Sequence, residues 1–221
     1  MNTYHLISNY NYDPQPLVDL LEGEYAIYDQ SDQFNLSENL INFRFFFKTK
    51  HTGHNLSDYF YYIINNFNKL PERIAFLKGN IVGRHIDKDD FIKRLQLPGC
   101  VSLYSDKKTY HPKIQLFRFI AQQIAPGVFL EINNNWYCKT RSKGKYHPTF
   151  NDLFQKLFSY TPPKYIPFIP GACFIATRDK ILQWDIEIYK HLYHITTYEF
   201  FPVEAYHVER MIMYLFFFNM I

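Results

Sequence analysis

Short apolar runs and longer stretches of helical period alternate along the first third of the chain. Residues 4–8 (YHLIS) are an apolar run of strand length. In the NYNYDPQPLVDLLEGEYAIYD that overlaps and follows, Asp13 is placed to cap a helix, Pro14 stands at its first position and Gly23 ends it. Residues 24–28 (EYAIY) return to strand character. Strand, helix and strand in such a short span form a βαβ opening, which predicts a mainly parallel sheet.

Residues 31–54 are a polar, Asn-rich excursion interrupted by FRFFF at 43–47. The stretch LSDYFYYIINNF then sets Leu56, Tyr59, Phe60, Ile63, Ile64 and Phe67 at helical spacing, with Asn55 or Ser57 as cap and Leu70-Pro71 as stop. RIAFL (73–77) reads as a buried strand. Further on, the pattern predicts helices near 88–95 and 113–123, a strand at 128–132 and a short helix at 150–158. A proline-rich turn (TPPKYIPFIPG), a strand at 171–178 and helices over 179–195 and 203–218 complete the chain. Neither an internal repeat nor a flexible linker divides it. The expectation is one α/β domain over 1–221, with a Rossmann-like, mostly parallel sheet flanked by helices.

Composition changes this picture little. A hydrophobic content of 47% supplies a substantial core. The net charge of +3, from 24 basic and 21 acidic residues, is too small to draw duplex nucleic acid. Cys100, Cys138 and Cys173 form no CxxC pair and read as free thiols of a reducing compartment. No apolar run has the length of a membrane helix, and the opening MNTYHLISNYNYD lacks a basic stretch followed by an apolar core. A cytoplasmic protein, bacterial or virus-encoded, fits these features.

In open parallel sheets, ligands sit beyond the carboxyl ends of the strands. The first predicted strand runs into Asn9, Tyr10, Asn11 and Tyr12, the second into Asp29, and the third into Lys78, Gly79 and Asn80, with Arg84 and His85 following. Lys78, Arg84 and His85 suit phosphate oxygens, and Gly79 suits close backbone approach. Tyr12 or Tyr28 suits stacking on a base, and Asp29 suits a base or ribose. The competing reading is a set of ordinary polar loops. There is no GxxxxGK[ST] or GxGxxG, so neither a P-loop protein nor a typical dinucleotide enzyme is expected. GxSxG and HExxH are absent as well. Cys173 lies in an apolar strand and reads as a small core residue. His51 and His54, three apart, come nearest to a metal-ligand pair.

The segment from Gly53 to Asn80, with Arg84-His85 after it, resembles an uncharacterised family catalogued as a domain of unknown function. So do Pro170-Gly171-Ala172-x-Phe174-x-x-x-Arg178-x-x-Ile181, Ile188-Tyr189-x-x-Leu192, Glu204-Ala205 and Glu209-Arg210 before Tyr214-Leu215-Phe216, and the openings SNYNYD and IYDQSD. The layout of that family is similar to glycosyltransferases of GT-A type. The resemblance implies a nucleotide-sugar half (1–100), an acceptor half (101–221), a nucleotide-sugar donor, a glycan or other hydroxyl acceptor and a divalent cation, Mn²⁺ or Mg²⁺.

Asp87 and Asp89 form an Asp-x-Asp that would ligate such a cation, although they lie beyond the strand end and also suit the first turn of a helix. A metal-independent clamp of Lys78, Arg84 and His85 is the alternative. The general base would be Glu204 or Glu209; Glu204 and His207, three apart, share a helix face. Glu131, Asn133, Asn134 and Trp136, together with Gly171, Ala172, His207 and Arg210, would meet the acceptor. A non-catalytic glycan- or nucleotide-binding module on a degenerate transferase fold is the rival. A single-stranded nucleic-acid binder is disfavoured by the low charge.

Overall fold

The computed structural model describes residues 2–32, 45–105, 121–134 and 143–218. The first strand, β1 (Tyr4–Asn9), is followed by a single helical turn, α1 (Gln15–Val18), and by β2 (Tyr25–Asp29). Asp13 caps as expected, its carboxylate accepting from the Gln15 amide at 3.0 Å. The polar excursion contains β3 (Phe46–Lys48), after which come α2 (Leu56–Asn66) and β4 (Arg73–Lys78). A short kinked helix, α3 (Ile81–Arg84), then α4 (Lys88–Leu95) and β5 (Val101–Ser102) follow. The second half holds β6 (Ala121–Ala125), β7 (Val128–Ile132), α5 (Phe150–Phe158), β8 (Tyr165–Phe168) and β9 (Phe174–Thr177). It closes with α6 (Arg178–Leu182), α7 (Ile186–Ile195) and α8 (Glu204–Phe216).

The main sheet has the order β3-β2-β1-β4-β9-β5. β1, β2, β3 and β4 run parallel, whereas β9 is antiparallel to β4 and to β5. Strand alternation sorts the core. Leu6, Ala26, Ile74, Phe76, Phe174 and Ala176 face one side, against α2, α5, α7 and α8. Ile7, Ile27, Ala75, Leu77 and Ile175 face the other, against Leu17, Ile81, Phe91 and Leu95. Both faces are covered, which is why these strands read as continuous apolar runs. Cys173 is buried in the second core; Cys138 lies outside the described residues.

A second, antiparallel sheet has the order β6-β7-β8. Part of the helix expected over 113–123 lies outside the described residues, but Ala121–Ala125 is a strand. Pro126-Gly127, with Gly127 at φ 68°, turns it back as a hairpin into β7. The expected proline-rich turn contains β8, where Pro167 is tolerated because the strand lies at the sheet edge. The strand expected from 171 starts only at Phe174, since Gly171 and Ala172 have φ of 78° and 50° and belong to a tight turn. The single helix expected over 179–195 is two, broken where Asp185 caps α7 by accepting from the Glu187 amide. Among the described residues, no helix is long and apolar enough to cross a membrane.

Candidate functional site

The chain leaves β1 toward β2 and β3 on one side, then returns to place β4 on the other. This reversal opens a crevice at the carboxyl ends of β1 and β4, the usual ligand position in such sheets. The cavity there is about 460 Å³. Ser8 and the turn Tyr10–Tyr12 contribute one wall, and Lys78, Gly79, Asn80 and Arg84 another. Residues 53–56 at the start of α2 supply a third, and Phe201, Ala205, Tyr206 and Glu209 from the α8 region close it.

Of the residues expected from the sequence, Tyr10, Asn11, Tyr12, Lys78, Gly79, Asn80, Arg84 and Glu209 meet here. Among the described residues, neither Lys78 nor Arg84 has a carboxylate partner. The N-terminal end of α2 adds to their positive potential. Asn55 occupies the cap position but does not cap. Its amide instead donates to Tyr59 Oη at 2.8 Å and to the Gly171 and Ala172 carbonyls at 3.2 Å each, tying α2 to the turn before β9. Tyr10 and Tyr12 are exposed at the mouth, with the Tyr10 ring stacked on His51 at 5.3 Å.

Other expected residues lie outside the crevice wall and support it. Asp29 is fully buried. It accepts from Asn9 Nδ2 at 2.9 Å and Ser31 Oγ at 2.5 Å, and pairs with Lys48 at 2.9 Å. Asn9 Nδ2 also donates to the Tyr12 carbonyl, so Asn9 and Asp29 shape the turn that carries the two tyrosines. A side chain on Gly79 would overlap Asn9 Oδ1, so this glycine is required for approach to Asn9. His85 packs against Tyr104 and against Gly171, where an added Cβ would lie 3.1 Å from the imidazole.

The second-half candidates divide in the same way. Glu131 and Arg210 form a buried ion pair at 3.0 Å, with the guanidinium 4.5 Å from the Phe168 ring centroid. Arg210 also holds Glu209 at 2.8 Å, so it positions the carboxylate that lines the crevice. Glu204 is fully buried and accepts from the Tyr146 and His147 amides at 2.7 and 3.2 Å and from Tyr198 Oη at 2.8 Å. It fixes the 145–147 segment. His207 is buried next to it, and burial lowers its pKa to about 4. Asn133 donates to Asn151 and to the Pro163 carbonyl. Trp136 lies outside the described residues.

Two further residues stand at or behind the crevice: His54, which the sequence offered only as half of a metal-ligand pair with His51, and Asp58, which it did not single out. His54 lies in the crevice wall with its Nε2 at 2.9 Å from the Thr196 carbonyl. Asp58 is buried behind Ser8. It accepts from Ser8 Oγ at 2.5 Å, Gln30 Nε2 at 2.7 Å and Thr49 Oγ1 at 2.8 Å. Burial, outweighing these three bonds, raises its pKa to about 7. In the sequence both residues sit beside a helix start, where polar residues are ordinary caps.

The surroundings of the crevice do not fit a divalent cation. Asp87 stands at the N-cap position of α4 and Asp89 in its first turn, and neither lines the cavity. Glu209 is the sole carboxylate in the wall among the described residues, and it is held by Arg210. Mg²⁺ and Mn²⁺ favour several oxygen donors, and no group of three or more His, Cys, Asp or Glu suited to a metal forms among the described residues. No step is therefore derived through a metal.

No curated protein and no solved structure matches this chain. Residues 26–218, from within β2 to just past α8, match the family described as a protein of unknown function (DUF3431), and the chain belongs to that family.

Proposed function

We propose that this protein transfers a sugar from a nucleotide-sugar donor to a hydroxyl acceptor, with the donor diphosphate held in the crevice between β1 and β4. One observation carries the reading: Lys78, Arg84 and the start of α2 converge on a cavity at the point where strand order reverses, with no carboxylate partner for either cation among the described residues. In the transfer, the bond between the sugar carbon and the diphosphate oxygen breaks and negative charge grows on the leaving diphosphate. Fixed cations and a helix N-terminus stabilise that charge without reorganising. The acceptor oxygen bonds to the sugar carbon, and Glu209, the carboxylate in the wall, takes its proton.

The hold of Arg210 on Glu209 favours a second reading, a nucleotide- or glycan-binding module without turnover. Calorimetric titration with uridine and guanosine diphosphates tests the site. Lys78→Ala and Arg84→Ala should each weaken binding about tenfold or more, the worth of a charge-assisted hydrogen bond. Unaltered affinity in both variants would refute the donor position. Release of the nucleoside diphosphate from a nucleotide sugar, abolished in Glu209→Gln, separates the enzyme from the binding module.

A further inference from the structure

The mouth of the crevice carries a group of rings that the scheme above leaves unused. Tyr10, His51 and Phe200 come from three separate segments. Tyr10 stacks on His51 at 5.3 Å, Phe200 stands edge-on to His51 at 4.7 Å, and the Tyr10 and Phe200 centroids are 6.2 Å apart. Phe200 is 50% exposed and Tyr10 37%. Large apolar rings gathered in the open are the informative exception to burial and mark a contact surface.

The cluster is exposed without being loose. The Phe200 ring lies on the Gly53 backbone, where an added Cβ would come within 2.4 Å of its Cζ. Gln30 Oε1 holds that backbone by accepting from the Thr52 and Gly53 amides at 3.0 Å each. Asn9 and Ser31 hold the Tyr10–Tyr12 turn through the Tyr12 carbonyl and the Asn11 amide. Rings fixed in advance lose little freedom when a ligand settles on them.

Ring geometry narrows the occupant. A nucleobase stacks on a flat, open aromatic face. Here His51 covers one face of Tyr10, and Phe200 is tilted by 54° to Tyr10 and by 69° to His51. A shelf of edges and tilted faces, with the Tyr10 hydroxyl and the His51 nitrogens set among its carbons, suits a ligand that is apolar on one face and polar around its rim. A sugar ring has that form: its C–H face rests on aromatic carbon and its hydroxyls meet the polar atoms. The shelf is also continuous with the crevice, whose wall includes Tyr10, Gly53 and Phe201. Glu209 stands in the wall of Phe201, and Lys78 and Arg84 stand in another.

We propose that Tyr10, His51 and Phe200 form an acceptor subsite, which seats a glycan at the crevice mouth and turns one of its hydroxyls toward Glu209 while Lys78 and Arg84 keep the donor diphosphate. The acceptor role rests on the transfer proposed above; the binding of a glycan to the shelf does not, and serves the binding-module reading equally.

Calorimetry on wild type, Phe200→Ala and Phe200→Leu tests this, with cellobiose, maltose, mannobiose and N,N′-diacetylchitobiose as probes and uridine and guanosine diphosphates in separate titrations. At least one disaccharide should bind wild type. Both variants should weaken it about three- to tenfold, the worth of an aromatic contact, and leave diphosphate affinity as it was. Saturating the aromatic protons of wild type should pass magnetisation to C–H protons of the bound sugar. That transfer should fall in Phe200→Leu, which keeps the bulk and loses the ring. A disaccharide affinity untouched in both variants, or no disaccharide bound by wild type, overturns the subsite. Loss of diphosphate affinity in place of disaccharide affinity overturns it too, by making the shelf a nucleobase platform. Disaccharide binding that depends on Phe200, with neither diphosphate bound, supports the glycan shelf and overturns the donor site and the acceptor role with it.

Discussion

Replacing Asp58 by Asn should stabilise the protein above neutral pH and leave it almost unchanged in acid. Asp58 is shut away from water and accepts from Ser8, Gln30 and Thr49, all neutral donors. Its carboxyl is held at about 7 against an ordinary 3.8, by burial first and by the Asp29 charge last. A folded-state value above the unfolded one means that the folded protein keeps a proton the unfolded chain has released. Stability therefore falls as pH rises from about 4 to about 7 and is flat beyond, as far as this group is concerned. At about 1.4 kcal/mol per pH unit, the gap is worth about 4 kcal/mol. Asn fits the same space: its oxygen can accept from Ser8 and Gln30, and its NH₂ can donate to the Thr49 hydroxyl. Urea unfolding of both proteins across that range measures the difference directly, and groups common to both cancel. The advantage of Asp58→Asn should grow through the window and level off above it. An equal difference at both ends would show that Asp58 titrates as an ordinary carboxylate and would refute the argument.

The buried His5, His54 and His207, each lowered to about 4 chiefly by burial, act in the opposite sense. The unfolded chain takes up their protons first, so in the Asp58→Asn background stability should rise with pH between about 4 and 6.5, as urea midpoints would show. Arg210→Met removes the ion-pair partner of the buried Glu131 and should cost about 3–5 kcal/mol in denaturant unfolding, much of it recovered by adding Glu131→Leu. Gly53 has φ 72°, and a Cβ there would run into the Phe200 ring. Gly53→Ala should therefore lose about 1–2 kcal/mol or more in thermal unfolding, with an unchanged value counting against this packing.

The elements that carry the crevice were the legible ones. β1, β4 and α2 announce themselves because buried strands and an amphipathic helix impose their periods on local sequence, and the polar residues just after β1 and β4 mark the strand ends. Asp29, by contrast, looks like a ligand residue in one dimension and is a brace for the Tyr10–Tyr12 turn in three. Helical spacing separates Glu204 and His207 from Glu209, but which side of α8 meets the crevice depends on packing against β8 and the 145–147 segment. His54 and Thr196 are 142 residues apart, and no local pattern encodes such a pairing. β6 and β8 are short, and each is made a strand by its neighbour more than by its own composition.

The insertion of β9 between β4 and β5 also has a consequence for synthesis. β4 emerges from the ribosome at Arg73, yet the strand that pairs with its far edge ends at Thr177, about 100 residues later. At about 5–20 residues per second, the apolar RIAFL edge must wait on the order of 5–20 s for its partner. During that interval it is an open template for any other extended chain. This protein should therefore aggregate most readily when translation stalls between β4 and β9, and ribosome-bound chains ending in that interval should recruit chaperones more strongly than chains extending past α6.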